Sequence, residues 1–280
     1  MPVLPVAIAL AAALSWGSAD YAGGIFARRI AAVRVVVVSQ AGALAVMTLV
    51  FAARLVRSGM PGGAWLGWGA LCGVAGTVAL TSFYAALARG TMGVVSPIAA
   101  TGAILPVVAG WVAGDRLGAL TLAGIGCALA GIILASGPEL SGAVGRMPVL
   151  LALVAAAGFG TSMVSLHQGA RSNIVGTLWA MRLTSVVMLA VVLLVRRPSG
   201  GRPARRDLPG LWLTGCGDLL ANALFSIASG LGAVGVVGVL SSLYPVVTVV
   251  LAWVLLHERL RRVQLVGVLL ALVGVALTVL

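Results

Sequence analysis

Three ionisable side chains lie inside long apolar stretches of this sequence: Asp20, Arg182 and Asp218. An ionised group at the centre of a bilayer costs about 2.5–3.5 kcal/mol on insertion scales, so each of the three needs a compensating interaction. Two interpretations are open for each of the first two. Asp20 either bonds to a neighbouring helix or binds a ligand, and Arg182 either pairs with an acid or contacts an anionic substrate group. If Arg182 is paired, Asp218 is the first candidate for its partner.

Further polar and aromatic residues accompany these three within the apolar stretches. Asp218, Asn222 and Ser226 are spaced i, i+4 and i+8, which places them along one stripe of a helix. In a membrane such a stripe has to face a cavity or another polar helix. Trp16 and Tyr21, close to Asp20 in sequence, could pack against a ligand or belong to the protein core.

Two later stretches combine hydroxyl groups with prolines. Proline removes a backbone donor and frees an upstream carbonyl, which in lipid has to find a partner or face a cavity. We therefore expect both stretches to form bent helices that face a cavity, with a simple packing kink as the alternative. The candidates they contribute are Ser96 and Thr101, near Pro97 and Pro106, and Ser241 and Tyr244, next to Pro245.

The rest of the sequence lacks the patterns of common catalytic and metal centres. His167 and His257 are solitary, and the cysteines Cys72, Cys127 and Cys216 are far apart. There is no H-E-x-x-H, no Walker loop and no G-x-S-x-G. The sequence therefore predicts no catalytic residues, no metal site, no cofactor and no ATP-driven pump.

Composition indicates what surrounds these residues. Of 280 residues, 61% are hydrophobic and only 9% are charged, against roughly 25% charged in ordinary soluble domains. The formal charge is +12, and every basic side chain is arginine. The arginines form short runs between the apolar stretches, as in loops that touch anionic headgroups, which argues against a nucleic-acid-binding face. These features predict a multi-pass protein of the cell membrane, in contact with the lipid bilayer.

The apolar stretches are long enough to cross a membrane. About 20 residues span the ~30 Å hydrocarbon core as a helix. Ten stretches qualify, so we predict an all-α membrane protein of ten transmembrane helices. They run approximately over 4–26, 33–53, 64–88, 93–113, 118–136, 148–167, 174–195, 208–229, 234–256 and 263–280.

The two halves of the chain repeat one another. The segment from Leu122 to Ser136 resembles the segment from Leu265 to Val279, 143 residues later, and the spacing persists at 142 or 143 towards the start of each half. Each repeat holds five predicted helices, an odd number, so the second copy enters the membrane from the opposite side. Such inverted repeats are typical of secondary transporters. We predict repeats over 1–139 and 148–280, whose fifth helices pack through the small-residue stripes Gly124/Ala128/Gly131 and Gly267/Ala271/Gly274.

Several motifs resemble those of the EamA-type transporters, a family in the drug/metabolite transporter superfamily. They are Trp16-Gly17-Ser18-Ala19-Asp20, Ser96-Pro97 with Gly114-Asp115-Arg116-Leu117, and Ser241-Ser242-Leu243-Tyr244-Pro245 with His257-Glu258-Arg259-Leu260. Asp115 stands where the family's first copy usually has Glu, and His257 where Gly commonly precedes the second Glu. The resemblance implies a ten-helix carrier of small metabolites with helices 5 and 10 outside a central cavity.

Together these observations predict a secondary transporter, an exporter of a small metabolite or drug-like molecule, with protons as a candidate coupling ion and a monomeric or weakly dimeric state. Of the acids, only Asp20 and Asp218 are deep enough to carry a proton, and Asp20 is favoured because Arg182 opposes protonation of Asp218. Alternatives are a lipid-linked flippase and an intramembrane lipid-modifying enzyme. The arginine distribution places both termini outside, whereas the resemblance implies termini in the cytoplasm.

Overall fold

The structure, a computed structural model, describes residues 3–27, 29–87, 98–135, 146–195, 201–256 and 261–279. The described residues form helices and their connections, without strands. The helices are α1 Val3–Ala27, α2 Ala32–Ser58, α3 Trp65–Leu87, α4 Ile104–Val112, α5 Ala119–Ala135, α6 Arg146–Val195, α7 Leu208–Leu231, α8 Val234–Ser241, α9 Tyr244–Leu256 and α10 Arg262–Val279. Single 3₁₀ turns at Thr101–Ala103 and Arg205–Asp207 precede α4 and α7.

Six helical segments of the described chain are long and apolar enough to cross a membrane: Val3–Ala27, Ala32–Ser58, Trp65–Ala86, Arg146–Val195, Arg205–Leu231 and Val234–Leu255. Three shorter apolar helices accompany them, over Ile98–Val112, Ala119–Ala135 and Arg262–Thr278. The all-helical prediction is confirmed, and the number of spans stays a prediction.

α6 corrects the predicted boundary between spans 148–167 and 174–195. The helix runs over 50 residues, and the break between the two predicted spans is a single residue. Only Asn173 leaves helical geometry, with φ −163° and ψ 111°. The side-chain Oδ1 of Asn173 accepts a hydrogen bond from the backbone N–H of Gly176 at 2.7 Å. That bond is an N-cap, so Asn173 ends one helical arm and starts the next within a single residue.

The proline-containing stretches are bent, as predicted. The segment over 234–256 is divided between α8 and α9 at Ser242 and Leu243, directly before Tyr244-Pro245 at the start of α9. Pro245 lies in the first turn of α9, where the missing N–H leaves no helical bond unmade. In the first half, the 3₁₀ turn Thr101–Ala103 interrupts the helix at the equivalent place, before Pro106.

The helices pack in pairs that each join the two halves of the chain. α1 packs most extensively against α7, α3 against both arms of α6, and α5 against α10, while α2 contacts α6 and α7. α5 and α10 contact each other far more than they contact any other described helix. We call the first two arrangements the α1–α7 pair and the α3–α6 pair.

Glycines bring the backbones of α5 and α10 into direct contact. A Cβ placed on Gly131 would lie 2.7 Å from the Cα of Ala271, and one on Gly124 would lie 2.8 Å from the carbonyl oxygen of Gly274. A Cβ on Gly274 would lie 2.8 Å from the Cα of Ala128. The predicted packing of the two small-residue stripes is therefore confirmed, and small residues are what allow such close approach in lipid.

These glycine contacts are reciprocal in the way that a two-fold axis requires. Gly131 meets Ala271 and Gly274 meets Ala128, and both residues of the second contact are the 143-residue counterparts of the first. The contact of Gly73 with the Met181 carbonyl is likewise matched, 142 residues on, by Gly215 with the Ser39 carbonyl. The halves thus pack as a reciprocal, self-complementary pair, and their inverted orientation in the membrane stays a prediction.

Candidate functional site

A cavity lies between the α1–α7 pair and the α3–α6 pair, with α2 along one side. It encloses about 1260 Å³ including its mouth. Most of its wall is apolar or aromatic, and its charged residues are Asp20, Arg182 and Asp218. A large apolar cavity with a few convergent polar groups is the usual form of a small-molecule site.

Equivalent positions of the two halves line this cavity. Gln40 corresponds to Arg182, Cys72 to Thr214 and Ala100 to Ser242, each 142 residues apart, and all six residues line the wall. The wall is therefore duplicated, but its charges are not. At the position equivalent to Asp20 stands Met163, at that of Asp218 stands Gly76, and at that of Arg182 stands Gln40.

Arg182 joins the α3–α6 pair to the α1–α7 pair. Its Nη1 donates to Oδ2 of Asp218 at 2.7 Å and also to Oε1 of Gln40. The side chain of Arg182 is only 3% exposed, whereas that of Asp218 is 27% exposed towards the cavity. The predicted pairing of Arg182 with Asp218 is confirmed. Because Gln40 and Arg182 are equivalent positions that contact each other, they mark where the pseudo-two-fold axis passes through the cavity.

Asp218 is surrounded by hydrogen-bond donors. Its Oδ2 accepts from Arg182 and, at 3.1 Å, from Nε2 of Gln40. Its Oδ1 accepts from the indole Nε1 of Trp16 at 2.9 Å and from Nδ2 of Asn222 at 3.2 Å. A carboxylate that accepts several hydrogen bonds, one of them charge-assisted, is held in a fixed orientation.

Asp20 lines the same cavity in a different environment. It is partly buried, and within the described part of the chain no group donates a hydrogen bond to its carboxylate or forms an ion pair with it. It follows Trp16 by four residues, so both side chains lie on one face of α1. The cavity thus holds one carboxylate with four donors and one with none.

The remaining candidates are divided by the structure. Tyr244 lines the cavity and its ring lies 6.4 Å from that of Trp16, edge to face. Tyr21 lies outside the lining, as does Thr101, whose hydroxyl donates to the Ile98 carbonyl at 2.6 Å. Ser241 is buried beside the Ala9 carbonyl, also away from the lining. Ser96 lies outside the described residues.

Sequence reasoning missed several lining residues, of which Gln40 and Tyr84 matter most. Gln40 was detectable, because it is a polar amide within a predicted span and stands 142 residues before Arg182 in the repeat. Tyr84 carries no such signal, since an aromatic residue near a helix end usually marks the membrane interface.

Comparison with known proteins agrees with this architecture. The model of the EamA-like transporter family matches the chain twice, over residues 3–137 and 146–280. This chain belongs to the EamA-like transporter family. As a member of that family it is a multi-pass membrane protein of the transporter class. The two family matches coincide with the two halves that pack reciprocally.

A solved structure shares the fold. It is titled only "Crystal structure of protein" and superposes with a TM-score of 0.77 at 20% sequence identity, covering 99% of this chain and 96% of the other. At that identity the likeness extends to the fold alone. No curated protein matches the sequence.

Proposed function

We propose that this EamA-like protein is a secondary transporter that exports a small metabolite or drug-like molecule by alternating access. In this proposal ten transmembrane helices form two inverted repeats, over 1–139 and 148–280. The central cavity is the substrate site, and it opens in turn to the two sides of the membrane. Export is the direction of transport that we expect from the sequence.

One observation supports the proposal most strongly. Equivalent positions of the two halves line the cavity, but its charged residues have no charged counterpart in the other half. Two inverted halves of similar shape provide two arrangements of similar energy, one open to each side. Charged residues repeated at every equivalent position would bring like charges together near the axis. Pairing Gln40 with Arg182 avoids that repulsion and leaves one specific polar arrangement for the ligand.

Arg182 has a structural role in this scheme. It bridges the two helix pairs at the pseudo-two-fold axis. When the two halves exchange conformations, groups on this axis keep equivalent surroundings. We propose that its bond to Gln40 persists in both arrangements, because both residues lie at the axis. Its bond to Asp218 has no equivalent in the first half, where Gly76 occupies the matching position, so this bond differs between the arrangements.

Proton coupling is proposed for Asp20 and orientation of the ligand for Asp218 and Asn222. Asp218 already accepts hydrogen bonds from Arg182 and from three neutral donors. Its bonds fix the Trp16 indole and the Asn222 amide in the cavity wall. Asp20 accepts no bond from any described residue, which leaves its carboxylate free to bind and release a proton during the cycle.

The test is flux through purified protein in proteoliposomes, with and without an imposed pH gradient, for wild type and Asp20→Asn. We expect wild-type flux to depend on the gradient and the variant to lose this dependence. Wild-type flux that ignores the gradient would rule out proton coupling and leave facilitated exchange. Coupled flux that survives in Asp20→Asn would remove the assignment to Asp20 alone.

A matched control is Asp115→Asn. Asp115 lies in the turn after α4, outside the cavity, where Gly114 adopts φ 98°. If this substitution removes coupling as fully as Asp20→Asn does, the effect of Asp20 is not specific to the cavity.

A further inference from the structure

The carboxylate of Asp20 has no partner among the described residues, and this affects the charge of the ligand that the cavity can accept. The inference drawn from it rests on the proposed transport function and concerns the substrate class of that same site. Among the described lining residues, one cation and two acids carry formal charge. Arg182 and Asp218 compensate each other at 2.7 Å, so an ionised Asp20 leaves the cavity with one uncompensated negative charge.

An anionic ligand finds no free partner in this arrangement. Arg182 is the only basic residue among the described lining residues, and its Nη1 already serves Asp218 and Gln40. Its Nε and Nη2 have no hydrogen-bond partner in the described chain, yet both atoms are fully buried. A ligand anion would reach them only after the side chain had moved and given up its bond to Asp218.

Trp16, Tyr84 and Tyr244 line the same cavity as Asp20. Trp16 lies one helical turn before it, and Gly23 lies about one turn after it, on the same face. The hydroxyl of Tyr84 approaches to 3.5 Å from the position of a Cβ on Gly23, so Tyr84 reaches the wall directly beyond Asp20. The Tyr244 ring packs edge to face with Trp16 on the other side.

A carboxylate between aromatic rings is a combination that recognises a positive charge on an apolar body. Ring faces attract an ammonium group, by about 2 kcal/mol or more when the site is desolvated. A carboxylate adds a charge-assisted hydrogen bond or an ion pair. Most of the remaining wall surface is apolar, so a hydrocarbon or aromatic body attached to the ammonium group would have apolar surface to pack against.

We propose that the ligand of this cavity is an organic cation, an ammonium group attached to an apolar body, with the ammonium bound by Asp20. Trp16, Tyr84 and Tyr244 provide the aromatic surroundings. Asp218 does not bind the ammonium, because its oxygens are already bonded to four donors. Asp218 orients the ligand indirectly, by holding the Trp16 indole in place.

The test compares four probes of similar shape and different charge on purified full-length protein: 2-phenylethylammonium, 3-phenylpropanoate, phenylalanine and 2-phenylethanol. Binding is measured by calorimetry and by thermal stabilisation, since a ligand that binds the folded state raises its melting temperature. We expect the ammonium probe to bind at least tenfold more tightly than each of the other three. Tighter binding of the carboxylate or the zwitterion, or binding of none, overturns the proposal.

Variants locate the site. Asp20→Asn should weaken the ammonium probe at least tenfold, Asp20→Glu should retain most of its affinity, and the control Asp115→Asn should stay within twofold of wild type. Equal affinity in wild type and in a monodisperse Asp20→Asn protein overturns the assignment. The four-probe comparison on wild type stands even if Asp20→Asn does not fold.

Flux separates this proposal from the proposed function. Proteoliposomes that move the carboxylate or zwitterionic probe but not the ammonium probe contradict the cation proposal and leave transport intact. Proteoliposomes that bind the ammonium probe and never move it contradict transport and leave the binding site intact.

Discussion

The bond between Arg182 and Asp218 can be tested by removing each partner separately and then both together. Asp218→Asn leaves a guanidinium that is 3% exposed and cannot lose its charge at any ordinary pH. Its remaining acceptors, Oε1 of Gln40 and the amide oxygen introduced at position 218, are both uncharged. Arg182→Ala leaves a carboxylate that keeps three neutral donors and is partly exposed to the cavity. The loss of Asp218 should therefore be more destabilising than the loss of Arg182.

The size of the coupling follows from two reference ranges. Removing one member of a fully buried ion pair costs about 3–5 kcal/mol. Hydrogen bonds between membrane helices average only about 0.6 kcal/mol in double-mutant cycles, with a maximum near 1.7 kcal/mol. Because Asp218 is 27% exposed to the cavity, water weakens the pair, and we expect an intermediate coupling energy of about 2 kcal/mol. That changes the ratio of folded to unfolded protein by roughly thirtyfold.

The assay is the free energy of unfolding in mixed micelles for wild type, Arg182→Ala, Asp218→Asn and the double variant. We expect the double variant to be more stable than the sum of the single losses predicts, because it leaves no uncompensated charge. A coupling energy below about 0.5 kcal/mol would refute the reasoning, since that is the error within which independent sites add. A larger loss for Arg182→Ala than for Asp218→Asn would refute the argument on neutral donors.

Two further predictions concern packing and pH. Gly131→Ala should lower the free energy of unfolding by about 1–3 kcal/mol, because its Cβ would lie 2.8 Å from the Cβ of Ala271. A Cβ at Gly126 would meet nothing within 4 Å, so Gly126→Ala should be neutral or slightly stabilising in the same micelle assay. In the arginine-rich turn before α7, the bidentate bond from Arg29, followed by the Ala204 N–H, lowers the pKa of Asp207 below its usual value. The stability that this bond contributes is thus present above the ordinary carboxyl pKa of about 3.9 and is lost as the pH falls through the lower folded value. In melting curves between pH 3 and pH 7, Asp207→Asn should show less loss on acidification than wild type, and an unchanged loss would contradict this account.

Rare polar residues and small-residue spacing made much of this fold predictable. Arg182 and Asp218 were identifiable as a pair because an unpaired charge is too costly at that depth. The stripes on α5 and α10 were identifiable because small residues at i, i+4 and i+7 share one face. The first inference depends on the free-energy cost of an unpaired charge in lipid, and the second on the close helix packing that small residues allow. Neither requires knowing which helices are neighbours.

The polar surroundings of Asp218 could not be predicted in the same way. A helix that is apolar on every side gives little sign of which face points inward. The contact of Trp16 with Asp218 spans 202 residues, and only the three-dimensional packing brings the two together. Asp207 was not detectable either, because nothing in the sequence indicates that this acid between two apolar stretches is 4% exposed and paired with Arg29.

Labelling of a single cavity cysteine from each side of the membrane tests alternating access most directly. Thr214 lines the cavity, and Thr214→Cys in a background with Cys72, Cys127 and Cys216 replaced by serine or alanine provides that group. A membrane-impermeant thiol reagent is added to the outside or enclosed within proteoliposomes of uniform orientation. Alternating access predicts modification from both sides, and an imposed pH gradient should raise the rate from one side while lowering it from the other. Modification from one side only, under every gradient, would contradict alternating access.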